Sequence, residues 1–465
     1  MKLTYLNFLS WLPGIEKPVQ RLNFKKRVMW TIAMLVAFFL MSEITVWGTA
    51  DAARGRFAFL ETVLGSTIGS LMTLGIGPIV TASIILQLLN GSGLIKMDTS
   101  TAQGRAIYQG TQKLLAVAFA FFEAFAFVVF GAIPPASAST FVMGAVVLQL
   151  AMGGVITILM DEVVSKWGIG SGISLFIAAG VSRQIFINAF NFVGTHGSIQ
   201  ALGIIPTAIT QFIAGSPKDA MLALIPILFT VVVFFFVVYA QAMKVEIPLS
   251  LGTMRGFGHR YPLKLLYTSN IPVILTSALL ANVQLWANLL QSRGTPILGT
   301  IDAQGVATSG LISWISPPHQ VPFSTILIAA LDPGISVSPQ AWHWLSYSVF
   351  LIVSSIVFAL FWVNTSNLDA GAVAKRLHNI GLGVPGFRSD VRIIERVLER
   401  YIPALTVLSG ALIGLLAAFA DFTGALGTGT GILLTVMIIY SLYEQIAQQY
   451  MEDMHPMLRK FMGGS

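Results

Sequence analysis

The sequence predicts an all-α integral membrane protein, and three features predict it. Of 465 residues, 55% are hydrophobic and only 10% charged, with a mean hydropathy of +0.79; soluble domains carry about 25% charged residues. Apolar stretches of about 20 residues, long enough to cross a bilayer as a helix, recur along the whole chain. One stretch, Gly55 to Asn90, is broken in its middle. Its first part, Arg56 to Ile68, is too short to cross; Gly75, Gly77 and Pro78 interrupt it; its second part, Ile79 to Leu89, is also short. Backbone broken at membrane depth is tolerated only where protein buries it or where it lines a cavity. The segment therefore points to a pore or transporter rather than an anchor.

Ten spans are predicted, at about 28–47, 77–90, 112–131, 141–160, 173–192, 222–243, 266–289, 342–364, 401–420 and 430–450. With the N-terminus in the cytoplasm, 22 of the 27 Lys and Arg residues fall on that side, and only Arg54, Arg56, Arg183, Lys218 and Arg293 on the other. The positive-inside rule then fixes the orientation and an even span count. Two halves of five spans must run in opposite directions, which is inverted-repeat geometry. The expected organisation is a cytoplasmic amphipathic segment on the membrane face (1–27), an N-terminal half (28–192), an outer connecting loop (193–221), a C-terminal half (222–450) and a cytoplasmic tail (451–465).

Several chemistries are disfavoured. Cysteine is absent, which excludes disulfides, thiolate metal sites and cysteine nucleophiles. The six histidines are scattered, so neither a metal site nor a cofactor is expected. The first residues are too polar for a signal-peptide core. Gly168-Ile-Gly-Ser-Gly172 and Gly427-Thr-Gly-Thr-Gly431 lack the Lys-Ser/Thr of a phosphate loop and any Ser–His partnership; close helix approach at span entrances explains them better.

Polar groups inside spans are few. Glu123, in FFEAFAF, is costly there and should face the interior, either as a functional ionisable group or as a neutral carboxyl bonded to a neighbouring helix. Asn282 and Thr81, taken singly, read as helix-packing glue. No relay of carboxylates or histidines suits a proton-driven pump.

Two cytoplasmic loops are long and basic, Lys244 to Lys264 and Asp369 to Arg400. In the second, Arg388, Arg392, Arg396 and Arg400 recur every four residues and make one stripe if the segment is helical. Spacing alone is compatible with topology control and attraction to anionic lipid, or with docking on a phosphate-rich partner. The outer loop from Gln291 to Gln340, rich in Gly, Pro, Ser and Trp, is expected to pack over the outer mouth.

Seven segments converge on one family: LGIGPIVTASIILQLLNGSG (74–93), DEVVSKWGIGSGISLFIAAGVS (161–182), VYAQAMKVEIPL (238–249), YPLKLLYTSNIPVIL (261–275), PILG (296–299), FWVNTSNLD (361–369) and GALGTGTGILLTV (424–436). In this order they resemble the SecY family of protein-conducting channels, most closely its archaeal form. The resemblance implies ten helices in a 5+5 inverted repeat around an hourglass pore. It implies a plug half-helix at about 56–68, including Phe57, Phe59, Leu60, Glu61, Thr62, Val63 and Leu64. A pore ring would be made by Ile76, Val80, Ile173, Ile177, Ile274 and Leu434, and a lateral gate by Thr81, Glu123 and Asn282. In the resemblance's light Arg255, Arg260, Arg388, Arg392, Arg396 and Arg400 become a ribosome-docking surface. Bulky aliphatics suit such a ring because a dry constriction gates by dewetting.

The implied activity is a passive channel in the cell membrane, not an enzyme. It would pass unfolded polypeptides outward and release transmembrane segments sideways into lipid. Implied partners are SecE-like and Sec-beta-like small membrane subunits, the ribosome, nascent polypeptides and their signal sequences, a signal recognition particle receptor, and the lipid bilayer itself. The alternative is an ion-coupled secondary transporter with inverted repeats, which calls for polar groups at the breaks of two matched helices. Only one clearly broken span is visible, and its break carries Gly, Ile and Pro.

Overall fold

The computed structural model describes residues 13–20, 22–49, 68–91, 94–95, 97, 101–130, 133–137, 139–192, 203–251, 258–292, 294–302, 307–317, 341–379, 382–383, 390–426 and 428–454. The first half contains helices α1 (Phe24–Glu43), α2 (Gly77–Gly91), α3 (Ala102–Val129), α4 (Thr140–Trp167) and α5 (Gly172–Phe190). After α6 (Ile204–Ile213) and α7 (Pro217–Ala223), the second half runs α8 (Ile225–Ala242), β1 (Lys244–Leu251), β2 (Gly258–Lys264), α9 (Ile271–Ser292), β3 (Thr300–Ile301), β4 (Ala307–Ser309), α10 (Gly310–Ile315), α11 (Ala341–Thr365), α12 (Ala370–Asn379), β5 (Leu382–Gly383), α13 (Val391–Phe422) and α14 (Gly429–Met454).

Each of the ten predicted spans holds a helix. Among the described residues eight helical segments are long and apolar enough to cross a membrane. The two others have plain reasons for falling short. α1 has Lys25, Lys26 and Arg27 in its first turn and Glu43 at its end, and α2 has only 15 residues because its span is broken. Of the eight, α9 is the most buried and the segment containing α8 the least. α8 turns Leu228, Val231, Phe235 and Tyr239 outward, as a helix bathed in hydrocarbon can without cost.

The helices pack into one bundle with a continuous apolar core drawn from both halves. α2 lies on α3 and, opposite it, on α9 and α11, so it forms one contact between the halves; α5 against α14 forms another. Several helices extend past the expected spans. α3 starts at Ala102, where the Thr101 hydroxyl accepts the Gly104 N–H (3.0 Å). α13 starts at Val391, where Asp390 accepts the Arg392 N–H (3.0 Å). Capping satisfies backbone donors that a helix start leaves open, so the helix continues beyond its apolar part.

Two segments outside the spans have structure of their own. Residues 13–20 of the N-terminal segment are not helical; they form an extended strap on the end of α4. The strap is pinned by Ile15 N–H to Glu162 (3.2 Å), Lys166 Nζ to Ile15 O (2.5 Å) and Trp167 Nε1 to Glu16 O (2.8 Å). Pro13 and Pro18 explain the lack of helix, because each fixes φ and lacks a donor. The basic loop 244–264 is not merely a loop either. It is an antiparallel hairpin, paired from Lys244↔Lys264 to Ser250↔Gly258, with β5 added on the free edge of β1. Its base is tied to α14 by the Lys264–Glu444 ion pair. On the opposite side, part of the long outer loop folds on the end of α9, where Ala287, Ile301 and Ile312 share a small core.

Candidate functional site

The broken span begins the site. Residues 68–76 make successive turns rather than a helix, and protein groups meet their backbone. Val46 N–H bonds Gly69 O (3.0 Å), Leu71 N–H bonds Ile44 O (2.9 Å), and the Thr73 hydroxyl accepts the Gly69 N–H (3.0 Å). Irregular backbone inside a bundle must be satisfied in this way. α2 then starts at Gly77-Pro78, where the missing proline donor costs nothing.

At this start the six aliphatics join one apolar cluster. Ile76, Val80, Ile177, Ile274 and Leu434 are buried in it and Ile173 packs half-buried against it. They come from four separate places: the turn before α2 and its first residues, α5, α9 and α14. Val80, Ile173 and Ile274 also line a cavity of about 420 Å³ between α2, α3, α5, α9 and α11. Polar side chains also line this cavity, among them Ser83, Gln87, Arg105, Tyr108, Gln112 and Asn367, beside the apolar Ile271, Leu275 and Trp362. Polar and aliphatic side chains thus share the lining of one cavity.

One residue after Val80, α2 changes chemistry. Thr81 donates its hydroxyl hydrogen to Glu123 Oε1 on α3 (3.0 Å) and accepts from Asn282 Nδ2 on α9 (3.2 Å). The three gate candidates are therefore one hydrogen-bonded chain across the contact between the halves. Glu123 is buried and bonded to a neighbouring helix, which answers where its oxygen goes in an apolar surrounding.

The remaining candidates are less gathered. The plug candidates Phe57, Phe59, Leu60, Glu61, Thr62, Val63 and Leu64 lie outside the described residues, as do Arg255 and Arg388. Arg260 is described in its backbone alone, on β2, paired with Pro248. Arg392, Arg396 and Arg400 are exposed along one face of the first turns of α13. The expected four-residue stripe thus has three arginines on the described helix.

Two carboxylates went unassigned in the sequence. Asp161, near the end of α4, accepts the Ile173 N–H at the start of α5 (2.8 Å). Asp421, at the end of α13, accepts the Thr430 N–H at the start of α14 (3.1 Å) and the Tyr347 hydroxyl (2.6 Å). Asp161 lies twelve residues before Ile173 and Asp421 nine before Thr430, too far for a local capping signal to reveal either. The glycines are needed for closeness. A Cβ on Gly172 would sit 2.5 Å from Asp161 Cα, and one on Gly429 would sit 1.9 Å from the Ala420 carbonyl carbon.

With this geometry in hand, the likenesses to known proteins are specific. A family model described as SecY matches residues 70–443. The protein translocase subunit SecY of Methanothermobacter thermautotrophicus is 45% identical, over 100% of this chain and 99% of the relative. A solved protein-conducting channel is 42% identical, with a TM-score of 0.83, over 97% of this chain and 99% of the other. Sec61 in the canine ribosome-channel complex from the endoplasmic reticulum is also 42% identical, with a TM-score of 0.80 and the same coverage.

Proposed function

The chain belongs to the SecY family, and from that premise we propose that it is the central, pore-forming subunit of a protein-conducting channel. It is a multi-pass membrane protein whose chemistry is passage rather than catalysis. Unfolded polypeptides enter from the cavity between the halves, pass the aliphatic waist and leave on the far side; apolar segments leave sideways into lipid. A single arrangement carries this function: candidates from α2, α5, α9 and α14 join one apolar core, and Val80, Ile173 and Ile274 among them line the cavity between the halves. A waist of branched apolar chains excludes water and ions when empty, yet offers no directional bond that would select one passing side chain over another.

The other parts follow from the same premise. Residues 56–68 form the plug that fills the outer funnel. Thr81, Glu123 and Asn282 hold the seam between α2, α3 and α9 closed by a small margin. A hydrophobic signal segment entering that seam gains lipid-like burial and tips the balance. The hairpin carrying Arg255 and Arg260, with Arg388, Arg392, Arg396 and Arg400, is the cytoplasmic docking surface for ribosomal RNA phosphates. Its analogue is the likeness to a channel solved in a ribosome complex. SecE-like and Sec-beta-like subunits complete the assembly in the cell membrane, with both termini cytoplasmic, and a signal recognition particle receptor delivers clients.

The direct test is site-specific cross-linking in membranes with a stalled nascent chain. A photoreactive group at position 76 should cross-link to the chain, and one at the outward-facing Val353 should not. Cross-links at 353 with none at 76 would overturn the pathway.

A further inference from the structure

The same capping device occurs twice, at opposite ends of the bundle. In each half the fourth helix supplies an aspartate to the N-terminus of the fifth: Asp161 of α4 to Ile173 of α5, and Asp421 of α13 to Thr430 of α14. Each fifth helix carries candidates for the waist. On α5 the held N–H belongs to Ile173 itself, and Ile177 lies one turn further; on α14 Leu434 lies one turn beyond Thr430, on the same face. α5 and α14 pack on each other. A Cβ on Gly170, just before α5, would sit 2.8 Å from Leu442, midway along α14. As the fifth and tenth spans the two helices run in opposite directions, so their pinned ends lie apart.

We propose that Asp161 and Asp421 are positioning residues for the waist, each fixing the axial register of one ring-bearing helix against the helix before it. The proposal rests on the waist reading above. Register matters because a slip of one residue moves a helix by about 1.5 Å and turns it by roughly 100°, enough to swing Ile177 or Leu434 out of the constriction. The tight glycine turns set the distance and the carboxylates lock it. In the second half the buried Tyr347 hydroxyl holds the other oxygen of Asp421 and so fixes the direction of the cap.

The test uses the full channel with its membrane subunits in planar bilayers, reading resting ion conductance alongside thermal stability. Asp161→Ala and Asp421→Ala should each raise resting conductance by about two- to thirtyfold, the span of equilibrium change that loss of a cap produces. Asp161→Asn and Asp421→Asn keep a carbonyl oxygen for the same N–H and should return conductance to within about twofold of the parent. Ile76→Asn, which attacks the waist directly, serves as the control. If it leaks while both alanine variants lose stability without leaking, the aspartates are ordinary caps and the proposal fails. If Ile76→Asn itself does not leak, the waist reading falls and takes the proposal with it. Should the alanine variants fail to accumulate, Tyr347→Phe removes only the buttress of Asp421. A conductance rise of about twofold supports the pin, and none overturns it.

Discussion

Val80 and Thr81 are consecutive residues of α2, yet they belong to regions built on opposite principles. Val80 joins the apolar core shared by most helices of the bundle, whereas Thr81 joins a chain of two hydrogen bonds fed by three helices. Successive helix residues point about 100° apart, so one helix serves both regions. The difference teaches what each region can do. Apolar contact is non-directional and scales with area, so the proposed waist tolerates deformation around a passing chain. Hydrogen bonds are directional and few, so the proposed seam has a small and nearly discrete opening cost. A shift of α2 would disturb both at once, which couples lateral opening to loosening of the pore.

The largest effect should come from breaking the apolar side. Ile274→Asn buries an amide without a partner, at a cost of about 1–3 kcal/mol, or roughly five- to a hundredfold in the balance between sealed and leaky states. Bilayer conductance of the resting channel reads it, and an unchanged conductance would remove the waist from the comparison. A smaller effect is expected on the polar side. Thr81→Val keeps shape but severs both hydrogen bonds. Export of a reporter with a weakened signal sequence should rise by about two- to tenfold, as net bonds of about 0.5–1.5 kcal/mol allow. Leak without added export would mean that Thr81 serves the waist instead of the seam. The smallest effect belongs to Glu123→Gln, which retains a carbonyl oxygen for Thr81. Its export should stay within about twofold of the parent. A change as large as that of Thr81→Val would show that the charge of Glu123, rather than its bond, holds the seam.

Much of the site was legible because membrane chemistry is restrictive. The break at Gly75-Ile-Gly-Pro78 is visible in one dimension, since few sequences can interrupt a span. Glu123 was conspicuous because an acid among phenylalanines is costly. The rest of its chain was not conspicuous: Thr81 lies 42 residues from Glu123 and Asn282 lies 201 residues from Thr81, and each alone is an ordinary packing residue. The strap at 13–20 shows itself only in Pro13 and Pro18, which disfavour a helix but do not say what the segment packs on. The hairpin at 244–264 was missed although KVEIPL alternates polar and apolar residues, the period of a strand.

By itself the sequence determined the solvent of this protein, where its apolar helices lie and the distribution of its charges along the chain. Those depend on local quantities: length of apolar run, hydropathy and the sign of flanking residues. Only the tertiary structure decided which aliphatics share a core, that Thr81 bridges Glu123 and Asn282, and that Asp161 and Asp421 cap the helices that follow them. Isoleucine facing lipid and isoleucine facing a waist cost nearly the same to the chain, because both surroundings are apolar; packing alone distinguishes them.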